Sequence, residues 1–114
     1  MITIKRADLV LGKDYTQRKA IAVDPENDAS MEPLIPRHAK VIVVPGEPCP
    51  HGKVVIAVMP DLHIAIFRTL LIERGPGGVV RKILRASEGA DQDRELHEDA
   101  GDWCWRASHA LIEL

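Results

Sequence analysis

The stretch that decides the fold is residues 40 to 73, KVIVVPGEPCPHGKVVIAVMPDLHIAIFRTLLIE. It contains three runs rich in valine and isoleucine, and a short segment with proline separates each run from the next. β-Branched residues are enriched in strands, whereas proline and glycine mark the turns between strands. The stretch therefore predicts three consecutive strands, at 40 to 44, 53 to 59 and 63 to 73.

Three segments outside this stretch have a similar composition. They are AIAV at 20 to 23, VVRKIL at 79 to 84 and the final WCWRASHALIEL. Residues 86 to 102 are acidic and show no apolar period, so we expect an irregular loop or a short exposed helical turn there. Together these patterns predict a mostly β fold, namely a small, partly open barrel of about six strands with one long irregular loop.

The composition is that of one globular domain covering residues 1 to 114. The chain is 46% hydrophobic and 28% charged, so it has enough apolar residues for a core of its own. A net charge of −2 gives no basic field for a nucleic-acid backbone, and direct nucleic-acid binding is not expected. No apolar run reaches the roughly 20 residues that cross a bilayer, and the first residues lack the order of a signal peptide. We expect a cytoplasmic protein that is not attached to a membrane.

Cys49 and Cys104 are the two cysteines of the chain. Two cysteines do not form a disulfide framework, and cytosolic thiols normally stay reduced. The spacings Cys49-x-His51 and Cys104-x4-His109 do not match the paired spacings of structural zinc sites, such as C-x2-C, and each pair contains a single cysteine. The sequence therefore predicts ordinary thiols, no metal and no cofactor.

An arginine interrupts an apolar row in the run HIAIFRTLLI. Alternate residues of a strand point to the same side, which places Arg68 on one face with four aliphatic residues, Ile64, Ile66, Leu70 and Ile72. On composition alone, the simplest interpretation is a strand residue whose charged end reaches solvent.

The segment before the first of the three strands carries the most specific motif. Residues 28 to 36 read DASMEPLIP, and KVIVV, GEPCPHGKVVIAV and MPDLHIAIFRTLLIERG follow in that order. This order resembles the C-terminal domain of the LexA and UmuD group of self-cleaving SOS-response proteins, which includes many phage repressors and shares its fold with signal peptidase. Ser30, Met31 and Pro33 match the family's Ser-Met-x-Pro pattern. The resemblance covers roughly residues 18 to 85 and implies a LexA-like, signal-peptidase-like barrel.

In that family a serine hydroxyl is the nucleophile, and a buried neutral lysine accepts its proton. The resemblance places Ser30 at the nucleophile position and the backbone N–H groups of Ser30 and Met31 at the oxyanion hole. Arg68 falls at the lysine position, 38 residues after Ser30. Guanidinium groups have pKa values above about 12 and do not act as bases in proteins. We therefore expect a pseudo-peptidase that has lost the family's activity.

Two other features of the family are missing from the sequence. Residues 1 to 29 contain no Ala-Gly or Cys-Gly dipeptide, the bond that the family cleaves upstream of its serine, and they are too few for a helix-turn-helix domain. Association is then the function that the resemblance implies, because family members dimerise through this domain. We expect a homodimer, or a partner of a LexA-type or phage-type repressor or of a translesion polymerase.

Two alternative functions stay open at this point. Lys82, in VVRKIL, could replace the missing base, which would make the chain an active Ser-Lys peptidase. Alternatively, the cleft could bind a peptide, with Arg68 facing an anionic group such as a C-terminal carboxylate.

The C-terminal segment offers the best apolar anchor for a dimer. Trp103, Trp105 and Leu111 fall on one face of a regular extended strand. An equally good interpretation is that both tryptophans close the core of the domain.

Overall fold

The computed structural model describes residues 1–12, 14–26, 28–36 and 38–112. This part of the chain contains eight strands and one short helix, α1 (Arg6–Val10), which lies between the first two strands. The mostly β fold predicted from the sequence is confirmed. Among the described helices, none has the length and apolar character needed to cross a membrane. The strands are β1 (Thr3–Lys5), β2 (Ile21–Asp24), β3 (Lys40–Val44), β4 (Val54–Met59), β5 (Ile64–Arg74), β6 (Val80–Arg85), β7 (Arg94–Leu96) and β8 (Trp103–Leu111).

All six predicted strands are present, and β1 and β7 are additional. Each of these two strands has three residues, TIK and REL, so neither shows a valine-rich run. β7 lies within residues 86 to 102, and the prediction of an irregular segment is therefore wrong for Arg94–Leu96. The same segment also contains short 3₁₀ turns at Ser87–Gly89 and Glu98–Ala100, as a helical turn was expected there.

The strands form one open sheet in the order β1-β2-β3-β8-β4-β5-β6-β7. β1 and β2 are parallel, and the other neighbouring strands are antiparallel. β1 and β7 lie at opposite edges of the sheet and do not pair with each other, so the sheet does not close into a barrel. β8 lies between β3 and β4, although it is the last strand of the chain.

Apolar side chains cover both faces of the central strand β4. Ile56 and Val58 belong to one cluster, which includes Phe67 of β5, whereas Val55 and Ala57 belong to a second cluster on the opposite face. This arrangement explains why the sequence of β4, VVIAVM, is a continuous apolar run and does not alternate.

Residues 28 to 36, called the Ser30 segment below, and α1 pack on the first of these clusters. Met31 and Ile35 from the segment and Leu9 from α1 are among its buried members. The Glu32–Pro33 peptide bond in this segment is cis. The packing of Met31 holds the preceding residue, Ser30, against the edge of the core.

A β-bulge in β8 changes which residues share a face. Ile42 pairs with His109 and Val43 pairs with Ala107, so Ser108 is the extra residue. Beyond the bulge, Leu111 lies opposite Lys40 and points away from the cluster that contains Trp103 and Trp105. The prediction that Leu111 shares a face with the two tryptophans is therefore wrong. The two tryptophans pack partly buried against the first cluster, with their ring centres 4.5 Å apart.

The sheet splits between β4 and β8 close to the bulge. β8 pairs with β4 from Trp103 to Arg106 and with β3 from Arg106 to Leu111, so beyond Arg106 its pairing with β4 ends. The chain before β4 stays with β5 instead, because Gly52 donates to the Leu70 carbonyl at 2.7 Å. A groove of about 210 Å³ opens at the split, lined by Leu34, Ile35, Val41, Lys53, Val54 and residues 107 to 110.

Replacing Phe67 by alanine should destabilise the fold strongly, because its ring is 1% exposed within the first cluster. We expect a loss of about 3–5 kcal/mol in the free energy of unfolding, measured by urea denaturation. Leu62→Ala is the matched control, since Leu62 is 59% exposed and should change stability by less than about 0.5 kcal/mol. Equal effects of the two substitutions would contradict this description of the core.

Candidate functional site

Arg68 lies in the middle of β5, on the face of the sheet that the alternation predicts. It is opposite Val55 of β4, and its neighbours on that face, Ile66 and Leu70, pack in the second cluster. Arg68 is 3% exposed, and among the described residues no other charged side chain is buried. The interpretation that its charged end reaches solvent is therefore wrong. A buried guanidinium needs hydrogen-bond acceptors around it.

Three segments supply acceptors to the Arg68 guanidinium. Its Nη1 donates to Ser30 Oγ at 2.7 Å and to the Phe67 carbonyl at 2.8 Å. Its Nη2 lies 3.2 Å from Asp91 Oδ2 in the segment between β6 and β7. Arg68 Nε has no hydrogen-bond partner among the described residues. The structure thus brings Ser30 and Arg68 into direct contact across 38 residues of sequence.

Asp28 holds the other side of Ser30. The Ser30 backbone N–H donates to Asp28 Oδ1 at 2.9 Å, and Arg6 Nη1 of α1 lies 3.2 Å from Asp28 Oδ2. Burial raises the pKa of Asp28, but the backbone and hydroxyl hydrogen bonds from Ser30 and the charges of Arg6 and Arg68 outweigh burial, so the pKa is lowered overall. Asp28 is thus an ionised acceptor that fixes the Ser30 backbone.

The resemblance places the oxyanion hole at the backbone N–H groups of Ser30 and Met31, and the first of these already has a partner. Because the Ser30 N–H already donates to Asp28, it is not free to bind an oxyanion in this conformation. Met31 lies with its side chain in the core, 2% exposed, and its carbonyl accepts a bond from the Ile35 N–H. A role for the Met31 N–H as an oxyanion donor stays a prediction.

Lys82 is not brought to Ser30. It lies opposite Ile72, four residues beyond Arg68 on β5 and thus about 13 Å along the strand. Its ammonium binds the Glu98 carboxylate, and this hydrogen bond, with the Glu98 charge, raises the pKa of Lys82. A lysine with a raised pKa stays protonated at neutral pH and is a poor general base.

The chemistry of the site is that of a serine between a cation and a carboxylate. In the described part of the chain, no lysine or histidine hydrogen-bonds to the Ser30 hydroxyl. Arg68 donates to the hydroxyl but does not accept its proton, and an aspartate with a lowered pKa is a weaker base than an ordinary one. Asp28 is therefore the acceptor that the described residues offer to the Ser30 hydroxyl, and its lowered pKa makes it a poor base for nucleophilic attack.

Three residues of this network, Asp28, Arg6 and Asp91, were not among the site residues predicted from the sequence. Asp28 stands two residues before Ser30 inside the quoted motif, and acids are common at this position in turns that bind a backbone N–H. Arg6 and Asp91 gave no signal, because they belong to charged segments far from Ser30 in sequence. Folding brings Arg6 to Asp28 and Asp91 to Arg68, the two residues that contact Ser30.

Comparisons of the chain with family models, with curated proteins and with solved structures gave no match.

The stability that Asp28 provides should depend on pH. A carboxylate whose pKa is lowered in the folded state stabilises the fold above its unfolded pKa, near 3.8, and this contribution is lost as pH falls through the lower folded value. We therefore expect Asp28→Asn to lower the free energy of unfolding by about 1–3 kcal/mol at pH 7. The gap from the parent protein should shrink below pH 3.8.

Urea denaturation between pH 7 and pH 2 measures this gap. Asp61→Asn is the control, because Asp61 is exposed and its replacement should leave the curve of stability against pH unchanged. A gap for Asp28→Asn that stays constant over the whole range would show that its charge has no part in holding Ser30.

Proposed function

We propose that this chain is a catalytically inactive LexA/UmuD-like domain that acts by association with proteins, in the first place with a second copy of itself. The observation that carries the proposal is the 2.7 Å contact between Arg68 Nη1 and Ser30 Oγ. The guanidinium takes the place of the family's base but cannot accept the serine proton, and the nearby Asp28 carboxylate is a weak base. Association is then the family property that such a domain retains.

The surroundings of Lys82 and Arg68 argue against the two alternative functions. Lys82 is engaged by Glu98, which weighs against an active peptidase with Lys82 as its base. Arg68 already has Asp91 as an ion-pair partner, and Asp28 adds a second negative charge nearby. An anionic peptide end would compete with both carboxylates, so the site is poorly suited to bind one.

The C-terminal part of β8 is the surface that supports association. From Ala107 onward it pairs with β3 on one side, while the side toward β4 borders the groove described above. An unpaired strand edge is a template for another strand. Leu34, Leu111 and Ile112 lie at this edge of the protein and are 54–59% exposed, which adds apolar surface to it.

A second copy of the chain fits this edge because an antiparallel strand pair is self-complementary. Two copies of β8 related by a two-fold axis would pair with each other through the same residues. A LexA-type or phage-type repressor, or a subunit of a translesion polymerase, is the second kind of partner that we propose for the same edge. We place this activity in the cytoplasm, where those partners act.

Light scattering should give a mass near twice 12.6 kDa at high micromolar concentration. The double variant Leu111→Glu, Ile112→Glu should weaken the dimer at least about tenfold, because it places charge on the exposed apolar residues of the β8 edge. Leu62→Glu is the matched control, since Leu62 is 59% exposed but lies at the Trp103 end of β8, about 26 Å along the strand from Leu111. A monomer at all concentrations would refute the homodimer.

The purified protein should stay at full length during long incubation at alkaline pH. Lysine-based relatives gain activity there because their amine loses its proton, whereas guanidinium groups do not act as bases in proteins. Mass spectrometry of the intact chain checks this, together with a peptide substrate supplied in trans.

Ser30→Ala and Lys82→Ala separate the two outcomes of that experiment. Cleavage by the parent protein that disappears in Ser30→Ala would overturn the inactive assignment, and its loss in Lys82→Ala as well would identify Lys82 as the base. Arg68→Lys returns an amine to the site, but it must also be desolvated before it can act as a base.

A further inference from the structure

The two cysteines, distant in sequence, meet on the second face of the sheet. Cys49 lies in the segment 45–53 between β3 and β4, and Cys104 lies on β8 opposite Ala57. The Cys49 thiol donates to the Cys104 carbonyl, with Sγ 3.5 Å from the oxygen across 55 residues of sequence. Both cysteines pack at the margin of the cluster that contains Val55 and Leu70, and both are partly exposed. They are thus close to each other and open to a small reagent.

The segment that carries Cys49 is held at both of its ends. Pro48 and Pro50 flank the cysteine, and proline restricts the backbone on either side of it. His51 Nδ1 accepts the Ile72 N–H at 2.8 Å, and Glu47 binds the Arg106 guanidinium at 2.8 Å. These contacts position Cys49 over β8 and reduce the loss of chain freedom when it bonds to Cys104.

Charged residues around the pair make the two thiols unequal. A hydrogen bond with the Cys104 thiol lowers the pKa of Cys49 more than burial raises it, and the charges of Lys82 and Arg106 lower it further, against a smaller opposing effect of Glu98. The same hydrogen bond, burial and the charge of Cys49 raise the pKa of Cys104. Cys49 is therefore the thiol that reaches the thiolate form first, and the thiolate is the reactive form of cysteine.

We propose that Cys49 and Cys104 form a redox-active dithiol that closes to a reversible disulfide by exchange with a small-molecule disulfide of the glutathione type. This inference is independent of the proposed function, since it uses neither Ser30 nor the free edge of β8. Reduced cytosolic proteins that form disulfides usually do so transiently, in catalysis or redox sensing.

The exchange takes place in two balanced steps. The Cys49 thiolate attacks one sulfur of the small disulfide, forms a mixed disulfide and releases one small thiolate. Cys104 then loses its proton and attacks Cys49 Sγ, which forms the protein disulfide and releases the second small thiolate. The two protein thiols are oxidised, the small disulfide is reduced to two thiols, and a dithiol reagent reverses both steps.

The closed disulfide would attach the segment 45–53 to the central strand β8. It requires the two sulfurs to approach to about 2.05 Å, with Cα atoms about 5.5–6 Å apart. The hydrogen bond already brings Cys49 Sγ against the backbone of Cys104, and movement of the 45–53 segment would have to bring the two sulfurs together.

The test treats the reduced full-length protein with oxidised glutathione, blocks remaining thiols with iodoacetamide and measures the intact mass. We expect one monomeric product that has lost two hydrogen atoms, carries no iodoacetamide and returns to the starting mass with dithiothreitol. Peptide mapping should join the peptides of Cys49 and Cys104. No reaction, separate glutathione adducts on both cysteines, or disulfides between two chains would each overturn the proposal.

Single variants separate the two roles and keep the test decisive if one of them folds poorly. Cys104→Ser should accumulate the mixed disulfide at Cys49, at least about tenfold faster than Cys49→Ser accumulates one at Cys104. Lys82→Gln should slow the reaction at Cys49 several-fold, whereas Lys40→Gln, an exposed lysine on β3, should not. Equal rates for the two cysteine variants would remove the assignment of Cys49 as the attacking thiol.

Discussion

The fold depends on the position of β8 between β3 and β4. β3 and β4 follow each other in sequence, yet they do not pair, and in the described part of the chain β8 joins β1-β2-β3 to β4-β5-β6-β7 within the sheet. This arrangement requires long-range closure of the chain, which carries an entropic cost. The packing of Trp103 and Trp105 beside Ile56 and Val58 helps to offset that cost, because it adds apolar burial where β8 meets β4. The bulge and Cys104 lie on β8, and the split in the sheet lies at its border with β4.

Arg68 explains how the Ser30 segment is attached to that sheet. A buried cation is unfavourable unless acceptors surround it, and removing one partner leaves it uncompensated. Ser30, the Phe67 carbonyl and Asp91 provide those acceptors, while the Ser87 N–H donates to the Ser30 carbonyl at 2.9 Å. The guanidinium that secures the segment is thus the group that donates to the Ser30 hydroxyl, and it cannot act as a base toward it. The Arg68 guanidinium thus both attaches the Ser30 segment to the sheet and sets the chemical surroundings of the Ser30 hydroxyl.

The parts of the structure that follow from local composition were predictable, and those that follow from pairing were not. Runs rich in valine or isoleucine predicted β3, β4 and β5 closely, and alternation predicted the face of Arg68, because both signals are carried by neighbouring residues. β1 and β7 are stabilised by the strand beside each of them, which no three-residue pattern reveals. Leu111 lies on the face opposite to the predicted one because Ser108 is an extra residue in β8, and nothing in the strand sequence marks a bulge there. The contact between Ser30 and Arg68 was suggested by resemblance, whereas Asp91 came from a charged segment without any pattern.

The outer strands of the sheet bear on the dimer that we propose. β1 and β7 each offer three residues at an edge; α1 follows β1 directly, and Glu95 of β7 binds Arg81 at 2.6 Å. Short edges with charged residues are poor templates for strand addition. A filament needs two different surfaces that join end to end, whereas pairing at the split of β8 uses one surface twice and is complete with two copies. In the dimer that we propose, the sheet would therefore associate through the β8 edge, while its short outer strands disfavour open-ended growth.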